Sequence, residues 1–312
     1  MNPLDPETIA VGADQICQAL STGQPVFIGR NGSTEMEATT FWNTHRHHSA
    51  TTADNLRPWN LAVMRKLQRG AGVWPATVES CDAWAKEYVE GLTMLDGTAA
   101  GWYEPYRAAE SLLLDQCAPQ AFRTPLRSLE PYYVEPEDRW TALLAGRRVA
   151  VVSSFAETIS RQILKRDIWA NQGTILPPTT TWIPIRTFYP PDVSMGDATG
   201  WPPGIESWDD AVQMLVDQVK ASGATIALIG CGGLGMILGA RLKREGISVI
   251  IMGGAIQVLF GIKGLRWESH PIISRFWNDS WVWPAADEIP RGAFKVEGGC
   301  YWERVVPTIP VS

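Results

Sequence analysis

The chain has 312 residues, 45% of them hydrophobic and 19% charged, with a formal net charge of −6. Such a balance describes a globular protein with a sizeable core. It argues against broad nucleic-acid binding, which needs a basic face, and leaves room for a local basic groove.

In chain order, Asp5 caps a first helix with Pro6 at its first position. Ile9, Ala13, Ile16, Cys17 and Leu20 then recur at helical spacing up to Gly23. A short buried strand, 25–29, runs into the polar turn Arg30-Asn-Gly-Ser-Thr-Glu35. Residues 38–125 read as mainly helical, an insertion in the N-terminal half, with an apolar face through Ala108, Leu112 and Leu113 over 103–117. A strand is expected over 126–134 and a connecting helix over 136–145, ended by Gly146. The apolar run 148–153 has the character of a strand buried on both faces of a parallel sheet. A helix through Ile159, Ile163, Leu164 and Ile168 and a strand over 180–188 follow. The proline- and glycine-rich loop 190–205 crosses to Ser207, an N-cap with Asp210 three residues on. That helix buries Trp208, Ala211, Val212, Leu215 and Val219, and Gly223 ends it.

Strand 224–229, a glycine turn, helix 234–245 and strand 247–252 complete a βαβ unit. The whole implies an α/β fold: a single Rossmann-like domain over 1–312 with a mostly parallel, doubly wound sheet. Its helix-rich part covers roughly 38–125 and its nucleotide-binding part roughly 148–302. Gly230, Gly232 and Gly235 fit G-x-G-x-x-G, a spacing that lets backbone approach a phosphate at a helix N-terminus. A nicotinamide site would place an acid at the end of the next strand, but that strand runs into Met252-Gly253-Gly254. An NAD-type oxidoreductase is therefore the weaker reading. The turn could equally serve close packing alone. Fifteen tryptophans, five of them after residue 266, leave a non-catalytic carbohydrate-binding protein as a further alternative.

The cysteines, 17, 81, 117, 231 and 300, are odd in number and form no C-x-x-C pair. They read as reduced thiols, not as a disulfide framework or zinc site. The N-terminus lacks the basic and apolar regions of a signal peptide. The longest apolar stretch, 224–240, is broken by five glycines and is too short to span a membrane. The expectation is a cytoplasmic protein.

Three stretches together resemble the glycosyltransferases of the GT-D fold. They are 27–35, Phe-Ile-Gly-Arg-Asn-Gly-Ser-Thr-Glu; 151–159, Val-Val-Ser-Ser-Phe-Ala-Glu-Thr-Ile; and 228–235, Leu-Ile-Gly-Cys-Gly-Gly-Leu-Gly, with its continuation 253–267. The resemblance implies transfer of a sugar from a nucleotide donor, typically a UDP-sugar, to a glycan or glycoprotein acceptor. The family's Asp-x-Glu after the first strand, tied to donor and divalent metal, is Ser33-Thr34-Glu35 here. The aspartate is replaced by serine, which leaves dependence on Mn²⁺ or Mg²⁺ open, because hard cations favour paired carboxylates. Glu35 is the retained acid and the one metal-ligand candidate; Glu37 is an alternative second acid.

Glu35 is the candidate general base or donor ligand; an ordinary acid in a helix's first turn would also stand there. Lys263 and Arg266, flanked by Gly261, Gly264 and Trp267, suit a clamp on a departing diphosphate. Arg30, Gly32, Ser33, Ser154, Glu157, Gly230, Cys231, Gly232, Gly235, Gly254 and Gln257 complete the expected donor site. Glu157 has helix-charge compensation as its plain alternative. His45, His47 and His48 lack the spacing of a helical zinc pair and read as surface histidines. Cys231 reads as a small packed residue rather than a nucleophile.

Overall fold

The computed structural model describes residues 5–45, 59–170 and 172–304. Seven strands form one parallel sheet: β1 (Phe27–Arg30), β2 (Gly97–Ala99), β3 (Phe122–Thr124), β4 (Arg148–Ser153), β5 (Thr181–Arg186), β6 (Ile226–Gly230) and β7 (Ser248–Ile251). Their order is β3-β2-β1-β7-β6-β4-β5. Strand side chains alternate between faces, so a strand buried on both sides must be apolar throughout. The central strands obey this closely. Val149, Val151, Ile226, Leu228 and Ile250 enter one core, while Ala150, Val152, Ala227, Ile229, Val249 and Ile251 enter the other. Pro184 sits in β5, an edge strand, where a missing N–H is tolerated.

Helices cover both faces. Their ranges are α1 (Pro6–Ser21), α2 (Ser33–His45), α3 (Leu61–Ala71), α4 (Val78–Leu92), α5 (Arg107–Cys117), α6 (Ala156–Gln162), α7 (Pro191–Ser194), α8 (Trp208–Ala221), α9 (Gly235–Arg244), α10 (Ala255–Leu259) and α11 (Leu265–Glu268). Apolar residues of α2, α3, α4, α5, α8 and α9 fill one core. Those of α1, α6, α7, α10 and α11 contribute to the other. The expected caps are present: Asp5 accepts from the Thr8 N–H, and Ser207 from the Asp210 N–H.

The structure departs from the sequence expectation in the less periodic regions. The helix-rich segment also supplies β2 and β3, each too short to show a pattern. Residues 126–134 and 136–145 form short 3₁₀ turns instead of a strand and a helix. Pro125, Pro131 and Pro136 stand at the starts of three of these turns, where a fixed φ suits the first position and a missing N–H breaks a ladder. On α5, Leu112 is exposed and Glu110 is buried, because the Glu110 carboxylate is used inside the protein. Helix α6 stops at Gln162, whose side-chain amide turns inward to donate to the carbonyls of Phe260, Gly261 and Ser280. Leu164 is consequently exposed. His45 ends α2, and His47 and His48 lie outside the described residues. Among the described residues, no helix is long and apolar enough to cross a membrane.

Candidate active site

A cavity of about 680 Å³ opens at the carboxyl edge of the sheet. Residues just beyond β1, β4, β5, β6 and β7 line it, among them Gly32, Ser154, Thr187, Cys231 and Gly253. From β4 the chain moves outward to β5, whereas from β6 it moves inward to β7, although β4 and β6 are neighbours. Such a reversal opens a crevice at the strand ends, the usual place for a ligand in an α/β sheet.

The turn from β1 into α2 is held from inside. Asn31 is fully buried; its Nδ2 donates to Glu110 Oε1 at 2.8 Å, and its Oδ1 accepts from the Tyr88 hydroxyl at 2.7 Å. The second Glu110 oxygen accepts from the Gly101 N–H at 2.7 Å, and the Asn31 carbonyl accepts from Trp102 Nε1 at 3.0 Å. This fixed turn aims Arg30 and Glu35 into the cavity. The Arg30 guanidinium lies 4.8 Å from the Trp102 ring centroid, and among the described residues it makes no ion pair. Asn31 was visible in the sequence only as one letter of the turn; its partners come from distant elements.

Glu35 is 8% exposed and lies against Gly32, where a Cβ would collide with its carboxylate. Burial raises its pKa above the ordinary 4.5; a hydrogen bond to its own backbone N–H and the charge of Arg30 act the other way. A protonated carboxyl cannot accept a proton. If Glu35 is the base, turnover should climb with pH along a limb lying above 4.5. Arg30→Gln removes an opposing cation and should move that limb to still higher pH. A pH–rate profile of the parent and the variant measures both, and a limb at the ordinary value would remove Glu35 from this role.

The glycine turn after β6 has a packing explanation alongside its position in the cavity wall. A Cβ on Gly230 would come 2.7 Å from the Gly253 carbonyl oxygen, and one on Gly232 (φ +59°) would come 2.9 Å from the Ala71 carbonyl oxygen. Gly230, Cys231 and Gly232 line the cavity; Gly235 lies behind it, inside α9 with ordinary space around it. Cys231 is partly exposed in the cavity wall, and its thiol is pushed well up by desolvation and by the Glu35 charge.

Beyond β7, Gly253 and Gly254 lie beneath two arginines. A Cβ on Gly253 (φ +56°) would be 2.5 Å from Arg30 Nη1, and one on Gly254 would be 3.1 Å from Arg266 Nη1. Arg266 is held by the Tyr301 ring at 4.7 Å, the Trp267 ring at 5.4 Å, and Glu297, whose Oε2 accepts from Nη2 at 2.9 Å. Gln257 is fully buried, and its Nε2 donates to the carbonyls of Lys263 and Tyr301 at 2.8 and 2.7 Å. It thereby ties the segment carrying Arg266 to the end of the chain's described part.

Of the expected site, Arg30, Gly32, Ser33, Glu35, Ser154, Gly230, Cys231, Gly232, Gly254, Gln257 and Arg266 all line this one cavity. Lys263, Glu157 and Gly235 do not. Lys263 holds its ammonium 5.5 Å from the Trp277 ring, and Glu157 is exposed on α6. The Glu157 N–H instead donates to Glu288, which gathers the start of α6 through Thr158 as well. Of the fifteen tryptophans, Trp102, Trp267 and Trp302 reach the cavity, and most others pack into the cores.

Sequence reasoning missed the opposite wall. Glu130, buried and ion-paired with Arg127, lines the cavity with His270. Burial raises the Glu130 pKa, with Arg127 opposing it. His270 Nδ1 accepts from the N–H groups of Ile272 and Ile273, and burial, with the Arg127 charge, lowers its pKa. Glu130 lies between two 3₁₀ turns and His270 in the loop before another, and such aperiodic segments carry no pattern that joins them to Glu35.

The divalent cation implied by the family resemblance does not fit the residues present. After β1 the donors are the Ser33 hydroxyl and one carboxylate, Glu35; the Glu37 carboxylate is ion-paired with Lys66. Among the described residues no group of three or more His, Cys, Asp or Glu side chains is placed to hold a metal ion.

No protein-family model matches the chain, and no curated protein does. Solved structures of the domain of unknown function 1792 are similar to it. The highly conserved domain 1792, described as having a distinct glycosyltransferase fold, matches over 95% of both chains, with a TM-score of 0.41 and 10% identity. A selenomethionine-substituted structure of that domain covers 77% of this chain and 82% of its own, with a TM-score of 0.36 and 11% identity. What the cavity does rests on its own residues.

Proposed function

We propose that the protein is a glycosyltransferase that moves a sugar, a hexose in our reading, from a nucleotide-sugar donor to a glycan or protein acceptor. The observation that carries this reading is the buried acid Glu35 sharing a cavity at the sheet's carboxyl edge with Arg30, a cation that makes no ion pair among the described residues. In the reaction, an acceptor hydroxyl attacks the anomeric carbon and its proton passes to the Glu35 carboxylate. The bond from that carbon to the diphosphate oxygen breaks, and the nucleoside diphosphate leaves with the electron pair. Fixed cations at that oxygen lower the barrier because they stabilise charge that grows only as the bond breaks. A UDP-sugar is the donor favoured by the family resemblance.

The test is a donor panel. Released nucleoside diphosphate is measured with UDP-, GDP- and ADP-sugars, with and without simple sugar acceptors, beside thermal unfolding in UDP, GDP, NAD and free sugars. Ligand at ~100 times its dissociation constant should add roughly 2.7 kcal/mol of stability, so the matching nucleotide should stand out. The expected result is stabilisation by one nucleoside diphosphate and its release from the matching donor. Stabilisation by NAD alone would return the chain to the oxidoreductases. Silence across the donor panel and every nucleotide would overturn the proposal.

A further inference from the structure

Two arginines far apart in the sequence each approach one residue of a single dipeptide. Arg30 ends β1, and Arg266 lies in α11, yet their Nη1 atoms stand above Gly253 and Gly254 respectively. Neither position is accidental packing of a loose side chain. Each guanidinium rests on an aromatic face, Arg30 on Trp102 and Arg266 on Tyr301, and Glu297 holds Arg266 by its other terminal nitrogen, Nη2. Among the described residues neither Nη1 donates to a carboxylate, and both residues line the cavity. The absence of two consecutive Cβ atoms is what makes room for them.

We infer that Arg30 and Arg266 form a twin seat for the two phosphates of a nucleoside diphosphate, and that this seat takes the place of a divalent cation. The inference rests on the nucleotide-sugar reading above. Diphosphate oxygens spaced along one P–O–P unit need donors spaced along one short line, and adjacent residues of one backbone supply that line. A guanidinium is permanently charged and presents paired N–H donors that match phosphate oxygens. The acid set after β1 points the same way. With Ser33 where a second acid would stand and Glu37 engaged by Lys66, a hard cation finds one carboxylate. Glu297 acts here as a positioning residue: it orients Arg266 without itself touching the anion.

The experiment uses inorganic pyrophosphate as the probe, titrated calorimetrically into the full chain in EDTA and again with Mn²⁺. Binding in EDTA is expected, with orthophosphate weaker and Mn²⁺ changing the affinity little. Arg30→Gln and Arg266→Gln should each weaken pyrophosphate about 10- to 100-fold, the scale of one hydrogen bond to a charged group. Glu297→Gln, which leaves both cations in place, should weaken it less than either. Thermal unfolding of each variant separates a lost seat from a lost fold, and Arg30→Lys, which keeps charge without the fork, gives a milder second variant. Ser33→Asp should increase the response to Mn²⁺. Binding that appears only with Mn²⁺, or that survives both arginine substitutions, overturns the seat. Pyrophosphate bound in EDTA with no sugar donor turned over would instead leave the seat standing and sink the transferase reading.

Discussion

Glu35→Gln is expected to keep the fold and to lose about 10²–10⁴ in transfer turnover, the range removed with a positioned general base. The amide has nearly the same shape as the carboxyl, so the space beside Gly32 stays filled. Charge and proton-accepting power both go. Because burial already raises the pKa of this carboxyl, its neutral form is tolerated in the folded chain, and an uncharged amide should cost little stability. Pyrophosphate should still bind, since both arginines remain. The discriminating pair of measurements is donor turnover and thermal unfolding on the same preparation. Full turnover in Glu35→Gln would exclude the residue from the mechanism and shift attention to Glu130 on the opposite wall.

How much of this was legible in the sequence follows the periodicity. The strands over 148–153, 224–229 and 247–252 could be read because a two-faced buried strand must be apolar at every position, and β4, β6 and β7 lie there. The Ser207 cap was legible because capping is local. Residues 126–145 were not, because prolines and 3₁₀ turns carry neither period. The same division holds for the site. The turn 30–35 and the glycine run after β6 could be placed at one edge, since both directly follow strands. In the sequence the Gly253–Gly254 dipeptide shows as a missing acid, with Gly254 in the expected donor site; its two arginine neighbours come from separate elements. Lys263 and Arg266 looked equivalent in sequence, but the turn between them sends Arg266 into the cavity and Lys263 toward Trp277. Side-chain direction within an irregular turn is a tertiary property, and spacing alone does not hold it.

The largest stability loss is expected on α4, a helix that does not line the cavity. Trp84 and Tyr88 stand four residues apart, so they share one helix face. Their rings lie 5.0 Å apart and both are fully buried. Trp84 Nε1 donates to the Gly233 carbonyl at 2.9 Å, inside the glycine turn, while the Tyr88 hydroxyl donates to Asn31, inside the turn that aims Arg30 and Glu35. One helix face therefore sets two walls of the cavity. Trp84→Ala should lose about 3–5 kcal/mol, the cost of emptying an indole-sized volume from a close-packed core. Trp84→Phe restores most of that volume but leaves the Gly233 carbonyl without its donor, so it should lose less, about 1–3 kcal/mol. Tyr88→Phe removes only a hydroxyl and strands Asn31 Oδ1, with a loss on the order of the same 1–3 kcal/mol. Denaturant unfolding gives these numbers, and pyrophosphate titration on the variants that stay folded reports on the turns. If Tyr88→Phe and Trp84→Phe lowered stability as expected but left pyrophosphate affinity and turnover untouched, α4 would be an ordinary core helix. If both also loosened the anion or slowed the reaction, the site's geometry would be traced to residues buried behind it.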